Sequence, residues 1–463
     1  LLRLCVDRRQ HTRQETTQGR TWRFAFMGGV RYPWSMRALL VTAAVLAACK
    51  APAPPEKDKA PHGGAGSNVT VAASSAAPPS KAGSLVEGAT PVRPHREEPV
   101  VECPALVPDN ADDEARVSAL LEEANKQIER AQYAAAWTCA DRAGDLSPTS
   151  VEAQHLRGAA LAALGRDQEA QTAYALALAL DPDDPETLRA VADFYINGKG
   201  ERGRDALRLG LELAQRGSRR AEARRRRNPP LVADLAVLEG QALNDLGRSD
   251  EALTRVGAAL RIAPGRGDAL HEKGVALFDL SRFADAKAVL QKALGIQPDD
   301  AYTHQMLGLT LEQLGDAKAA DTELARAFEL APTELSRPVV IPVAEFQKEI
   351  DAVVTTLPAE RKARVRAIKI EIADLPDPVD LAAVTPPFPP TILGLYRGPV
   401  GHAAEVTPST GDEPVSIVLY RKNLARAVKS RTELSEQIRD TLLHEIGHLE
   451  GLDEDDLRRR GME

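Results

Sequence analysis

Proline recurs in this chain at intervals that only a repeated structural unit would produce. The step from Pro148 to Pro182 is taken again from Pro264 to Pro298, and once more from Pro298 to Pro332. Gly158, Gly240, Gly274 and Gly308 each precede their own proline (Pro182, Pro264, Pro298, Pro332) by one and the same interval. Alanines keep two further fixed places between glycine and proline: Ala170, Ala252, Ala286 and Ala320, then Ala177, Ala259, Ala293 and Ala327. Proline cannot extend a helical ladder, so it marks the loops, and small residues at fixed phase let two antiparallel helices approach closely. A unit this short cannot bury its apolar face alone, so neighbours must stack into a superhelix. The period covers about 115–334. A further unit, 117–150, keeps Ala136, Ala143 and Pro148 but has Ala124 in the glycine place. Pro182 and Pro264 stand further apart than two such steps, so a degenerate repeat near 185–216 carries an insertion.

The period and its Gly/Ala/Ala/Pro order resemble tetratricopeptide repeats, although that family's early tryptophan is absent. The resemblance implies a concave groove that holds a peptide or partner protein. Composition agrees with helical packing: aromatic residues make up only 4 % of the chain. A net charge of −8 gives no general pull toward nucleic acid, and no nucleic-acid partner is expected. The one basic cluster, "RRAEARRRRNPP" with Arg219, Arg220 and Arg224–Arg227, reads as a solvated loop in the insertion.

Before the repeats the chain changes character several times. Residues 1–35 show no apolar period and are expected to be an over-extended gene start. Residues 36–48, beginning "MRALLVTAAVLAA", combine Arg37 with an apolar run too short to span a bilayer. Leu46-Ala47-Ala48-Cys49 resembles the lipobox of bacterial lipoprotein signal peptides, which implies a lipid on the Cys49 thiol and anchorage to a membrane. Lys50 after that cysteine points to the periplasmic face of the outer membrane. Residues 49–112, rich in Pro, Ala, Ser and Gly, read as a disordered tether. Cys103 and Cys139 could pair in an oxidising compartment, closing a loop worth about 3–4 kcal/mol.

After Pro338 the texture changes again, and 340–463 reads as a small α+β domain. "VAEFQKEIDAVVTTLP" (343–358) is an amphipathic helix closed by proline. "RAIKIEIADL" (366–375) alternates Ile368, Ile370 and Ile372 with charged residues, as a half-buried strand does. "TILGLYRG" (391–398) and "VSIVLYRKNL" (415–424) read as further strands. "SEQIRDTLLHEIGHLEG" (435–451) is a helix with Ile438, Leu442, Ile446 and Leu449 on its apolar face and Gly451 at its stop. The fold class is therefore mainly α: a repeat superhelix followed by a small α+β domain.

His444 and His448 are one turn apart on that last helix, a spacing that suits two nitrogen ligands on one Zn2+. Glu445 beside them is placed to move a proton to or from a water at such an ion. The longer stretch H-E-I-G-H-L-E-G-L-D-E follows the H-E-x-x-H-x-x-G-x-x-(His/Asp) form, with Glu454 at the third ligand position between Asp453 and Asp455. Asp453 also reads as the N-cap of a last short helix, with Asp456 completing a capping box. Together with "PPTILGLYRG" and "SIVLYRKNL", this run resembles the zincin-like minimal metallopeptidases of bacteria. The resemblance implies zinc on His444, His448 and Glu454, with Asp453 or Asp455 as alternatives for the third position, and catalysis by Glu445. Strand 415–421 is expected to edge the cleft, by analogy with that fold. The combined expectation is a lipid-anchored zinc metallopeptidase with a partner-binding repeat array. The alternative is a cell-envelope scaffold whose zincin domain is structural.

Overall fold

The computed structural model describes residues 22–23, 101–105, 112–198, 203–223, 228–398 and 415–460, without the side chains of Trp22, Arg23, Glu454 and Asp455. The expected signal peptide, Cys49, and nearly all of the tether and of the segment before Met36 lie outside these residues. Among the described residues six helical hairpins follow one another. The first three are α1 (Asp113–Glu129) with α2 (Tyr133–Leu146), α3 (Val151–Ala163) with α4 (Asp167–Leu180), and α5 (Pro185–Asn197) with α6 (Arg204–Ala223). The next three are α7 (Pro229–Asp245) with α8 (Ser249–Ile262), α9 (Gly267–Asp279) with α10 (Phe283–Ile296), and α11 (Ala301–Gln313) with α12 (Ala317–Leu330).

The repeat phase explains the packing. A Cβ on Gly158, Gly240, Gly274 or Gly308 would stand 2.4–2.7 Å from Tyr174, Val256, Leu290 or Leu324. Those four partners share one phase before their prolines, so each glycine leaves room for one large side chain of the second helix. In the first hairpin that partner place holds Ala140, which is why Ala124 fits there; both are fully buried. The helices begin where polar caps stop the chain: Ser150, Asp184 and Asp300 accept bonds from the backbone N–H of Ala153, Thr187 and Tyr302. Cys103 and Cys139 are joined in a disulfide with Cα atoms 4.9 Å apart, tying the segment before α1 to the middle of α2.

The degenerate fifth and sixth helices form an ordinary hairpin with a longer second arm. The expected loop does not hold for the first residues of the arginine cluster. Arg219 and Arg220 belong to α6, where Arg220 bridges to Asp183 at 2.5 Å, while 224–227 lie outside the described residues. The helix persists because its small buried face, including Gly217, Ser218 and Ala221, still packs inward.

The C-terminal region opens with α13 (Val343–Thr356) and α14 (Ala359–Arg366). Strand β2 (Lys369–Ala373), the short helix α15 (Pro378–Leu381), β3 (Gly394–Arg397) and β4 (Ser416–Tyr420) follow. The chain ends in α16 (Arg421–Arg426), α17 (Arg431–Leu449) and α18 (Glu454–Arg459). With the short strand β1 (Trp22–Arg23), the sheet has the order β1-β3-β4-β2. β4 pairs parallel with β2 and antiparallel with β3, so it is an inner strand, buried along its whole length. The expectation that this strand edges the cleft is therefore corrected. β3 stands outside it, with β1 paired to its Tyr396 and Arg397. A second correction concerns 421–424, which turn into α16 because Arg421 reaches back to Asp374 and the Lys422 N–H donates to the Asp374 carbonyl.

One apolar core joins the array to this region. Phe278, Met306 and Leu311 of the repeats share it with Leu381, Phe388, Ile392, Val418 and Tyr420. At its rim the Glu312 side chain, itself 5 % exposed, accepts from Lys422 at 3.0 Å and from Arg426 of α16.

Candidate metal centre

Helix α17 brings the two histidines together. Ser430 caps its start by accepting from the Glu433 N–H at 3.2 Å. Its apolar face, Leu434, Ile438, Leu442 and Ile446, packs into a core shared with α13 and β4. That burial fixes the helix rotation and presents Thr441, His444, Glu445 and His448 on its other side, all fully buried.

The helix ends in a closed motif. Gly451 has φ +85°, its N–H donates to the His448 carbonyl at 2.9 Å, and the Leu452 N–H donates to the Gly447 carbonyl at 3.0 Å. This turn carries the Leu452 carbonyl back over the last turn, where it accepts from His448 Nδ1–H at 2.9 Å. A proton fixed on Nδ1 makes Nε2 the ring nitrogen of His448 that carries the lone pair able to ligate. That atom faces His444 Nε2 at 3.1 Å, with the rings at 83° to each other. Two imidazole nitrogens on one tetrahedral zinc at about 2.0–2.1 Å stand about 3.3 Å apart, so this pair fits the ion.

Glu445 sits between the helix and β3. A Cβ on Gly394 would lie 3.0 Å from Glu445 Oε1 and 2.9 Å from Thr441 Cγ2. Only a residue without a side chain lets the strand pass this close over the carboxylate. Behind it, Arg397 of β3 grips Asp380 through Nε (3.1 Å) and a terminal nitrogen (2.6 Å), and Tyr420 O–H donates to the same carboxylate at 3.1 Å. Burial pushes the Tyr420 phenol well above its ordinary range, with the Asp380 and Glu445 charges adding to the shift. The phenol therefore stays a hydrogen-bond donor at any ordinary pH. Sequence reasoning did not single out Gly394, Asp380 or Arg397, and it placed Tyr420 only within a strand expected to edge the cleft. Their signal was the pair of segments "LGLYRG" and "SIVLYRKNL", which hold three of the four.

For the third ligand position the structure gives part of an answer. Asp453 is an N-cap: its side chain accepts from the Asp456 N–H at 2.8 Å, and the Asp456 carboxylate accepts from the Asp453 N–H in return. The side chains of Glu454 and Asp455 lie outside the described residues. Among the described residues no three His, Cys, Asp or Glu side chains are grouped to hold a metal. Cys139 belongs to the first hairpin and Cys103 to the segment before it.

Fold and site together define a stacked-helix repeat protein with a histidine pair in a small terminal α+β domain. Residues 365–462 match the family model of zincin-like metallopeptidases, and 151–184, 243–308 and 301–334 match tetratricopeptide-repeat models. The chain thus carries tetratricopeptide repeats and, at its C-terminal end, a zincin-like metallopeptidase domain. The chain is similar to the Hsp70-Hsp90 organizing protein of Triticum aestivum, 30 % identical over 102 residues, which are 22 % of this chain and 18 % of that protein. The matched part is thus under a fifth of that protein's length. Among solved structures, the chain is similar to pilF of Pseudomonas aeruginosa (14 % identity, TM-score 0.41, 51 % of this chain and 99 % of that one). It is also similar to PilW, a type IV pilus biogenesis factor (17 % identity, TM-score 0.40, 47 % and 94 %).

Proposed function

We propose that this chain is a zinc-dependent peptidase of the bacterial cell envelope, lipid-anchored at Cys49, whose repeat groove holds a protein or peptide partner. The observation that carries the catalytic part is the 3.1 Å approach of two Nε2 atoms, one of them held as an acceptor by the Leu452 carbonyl. His444 and His448 would hold the ion, with Glu454 as the third ligand. Zinc bound there would act as a Lewis acid and bring the pKa of its water to about 7.

The remaining work falls to this chain's own groups. Glu445 takes a proton from the attacking water at its carboxylate and returns it to the departing amine nitrogen. Gly394 keeps the strand close enough to hold that carboxylate in place. The Cys103–Cys139 disulfide suits an oxidising compartment, in keeping with a periplasmic location.

A second reading, a scaffold with a structural zincin domain, is favoured by one observation: His444, Glu445 and His448 are all fully buried. One experiment separates the two. Zinc-loaded wild type should cleave a casein or mixed-peptide substrate, and Glu445→Gln should lower that rate by at least about a hundredfold while keeping its zinc. Equal rates of cleavage in both proteins would remove Glu445 from the chemistry, and no cleavage by zinc-loaded wild type would leave the scaffold.

A further inference from the structure

The first helices of the last four hairpins, α5, α7, α9 and α11, line a cavity of about 1000 Å3. Its walls are unequal in charge. α5 and α7 contribute Asp193, Asp234 and Asp245; α9 and the turn before α11 contribute Asp268, Glu272, Asp299 and Asp300. Only two arginines, Arg189 and Arg266, stand among the lining residues beside these seven carboxylates. Arg266 is gripped between Asp234 at 2.5 Å and Asp268 at 2.8 Å, and Arg326 from outside the lining bridges Asp299 at 2.8 Å. Carboxylates lining one concavity reinforce each other's field, because the low-dielectric walls screen them less than open water would.

Charge alone would not make this a binding site, but Gln305 of α11 adds an independent sign. It is 7 % exposed, lines the same cavity, and has no hydrogen-bond partner among the described residues. A side chain so nearly buried normally has its amide satisfied. An amide offers one acceptor and two donors, the complement of a peptide backbone. Apolar floor between the acids comes from Val237, Leu238, Val275 and Met306.

We infer that the groove takes an extended peptide segment rich in lysine or arginine, its cationic side chains on the carboxylates and its backbone on Gln305. This rests on the proposed reading of the array as the partner-holding part, but not on catalysis. The aliphatic stems of such side chains would cover the apolar floor while their heads reach the acids.

The test uses the full chain carrying Glu445→Gln, so that cleavage plays no part. Fluorescence anisotropy would follow a labelled decapeptide alternating lysine and alanine, and its counterpart with glutamate for lysine. The lysine peptide should bind, losing about tenfold or more in affinity between low and high salt, and the glutamate peptide should not. The triple variant Asp193→Asn/Asp245→Asn/Asp299→Asn should bind the lysine peptide at least about tenfold more weakly. Gln305→Ala should weaken it without altering the salt dependence. Equal or better binding of the glutamate peptide would overturn the inference. So would unchanged affinity in a folded triple variant, which would mean diffuse attraction to an acidic chain. Failure of zinc-loaded wild type to hydrolyse peptides would instead strike the peptidase reading and leave these results standing.

Discussion

Glu445 and the glycine that faces it are the tightest point of the site. Gly394→Ala would place a methyl 3.0 Å from the carboxylate oxygen and 2.9 Å from Thr441, so strand or helix must shift. The expected cost is about 1–3 kcal/mol in a melting experiment, with a loss of peptidase rate larger than the loss of zinc. Elsewhere a single buried acid sets a pH dependence. Burial pushes Asp279 up to about 8 from 3.8, helped by the Glu272 charge and opposed by the Ser249 hydroxyl. The folded chain then holds a proton that the unfolded chain releases above about pH 4. The contribution is complete below that pH and is lost as pH rises toward 8. Asp279→Asn should therefore gain in melting temperature on wild type as pH goes from about 5 to about 8, and the two curves should differ least in acid.

Between the two helices of five hairpins, one slot recurs in the turn at the same phase of the repeat. Gly165, Gly247 and Gly315 fill it with φ of 75° to 80°, but Ala131 and Ser281 take the same left-handed turn at 56° and 58°. A side chain there costs about 1–2 kcal/mol, of which the extra freedom of glycine in the unfolded chain returns part. Ala131→Gly and Ser281→Gly should each stabilise by about 0.5–1 kcal/mol in thermal unfolding. Such features were open to a reader of the sequence because they are local. The hairpin period, the Gly451 stop and the Asp453/Asp456 capping box are all written within a few turns of chain. The rank of β4 as an inner strand was not, since pairing order is decided by distant partners. Nor was α16, whose start depends on Arg421 meeting Asp374 across 47 residues of chain. The histidine spacing was readable; the Leu452 carbonyl that orients His448 needed the turn in three dimensions.

Array and terminal domain form one body through the core that Phe278 and Met306 share with Phe388 and Tyr420. Heat should therefore unfold repeats and domain in one transition as seen by calorimetry. Glu312→Ala removes the acceptor that Lys422 and Arg426 share, at a cost of about 3 kcal/mol, and should split that transition or lower it. This shared core seats the last repeats directly against the terminal domain. All of the proposed catalysis, though, depends on an ion held by His444 and His448. The direct measurement is the zinc content of the purified full chain, wild type beside His444→Ala, after dialysis against a weak chelator. The account predicts about one zinc per wild-type chain and none in the variant; wild type without zinc, or equal zinc in both, would contradict it.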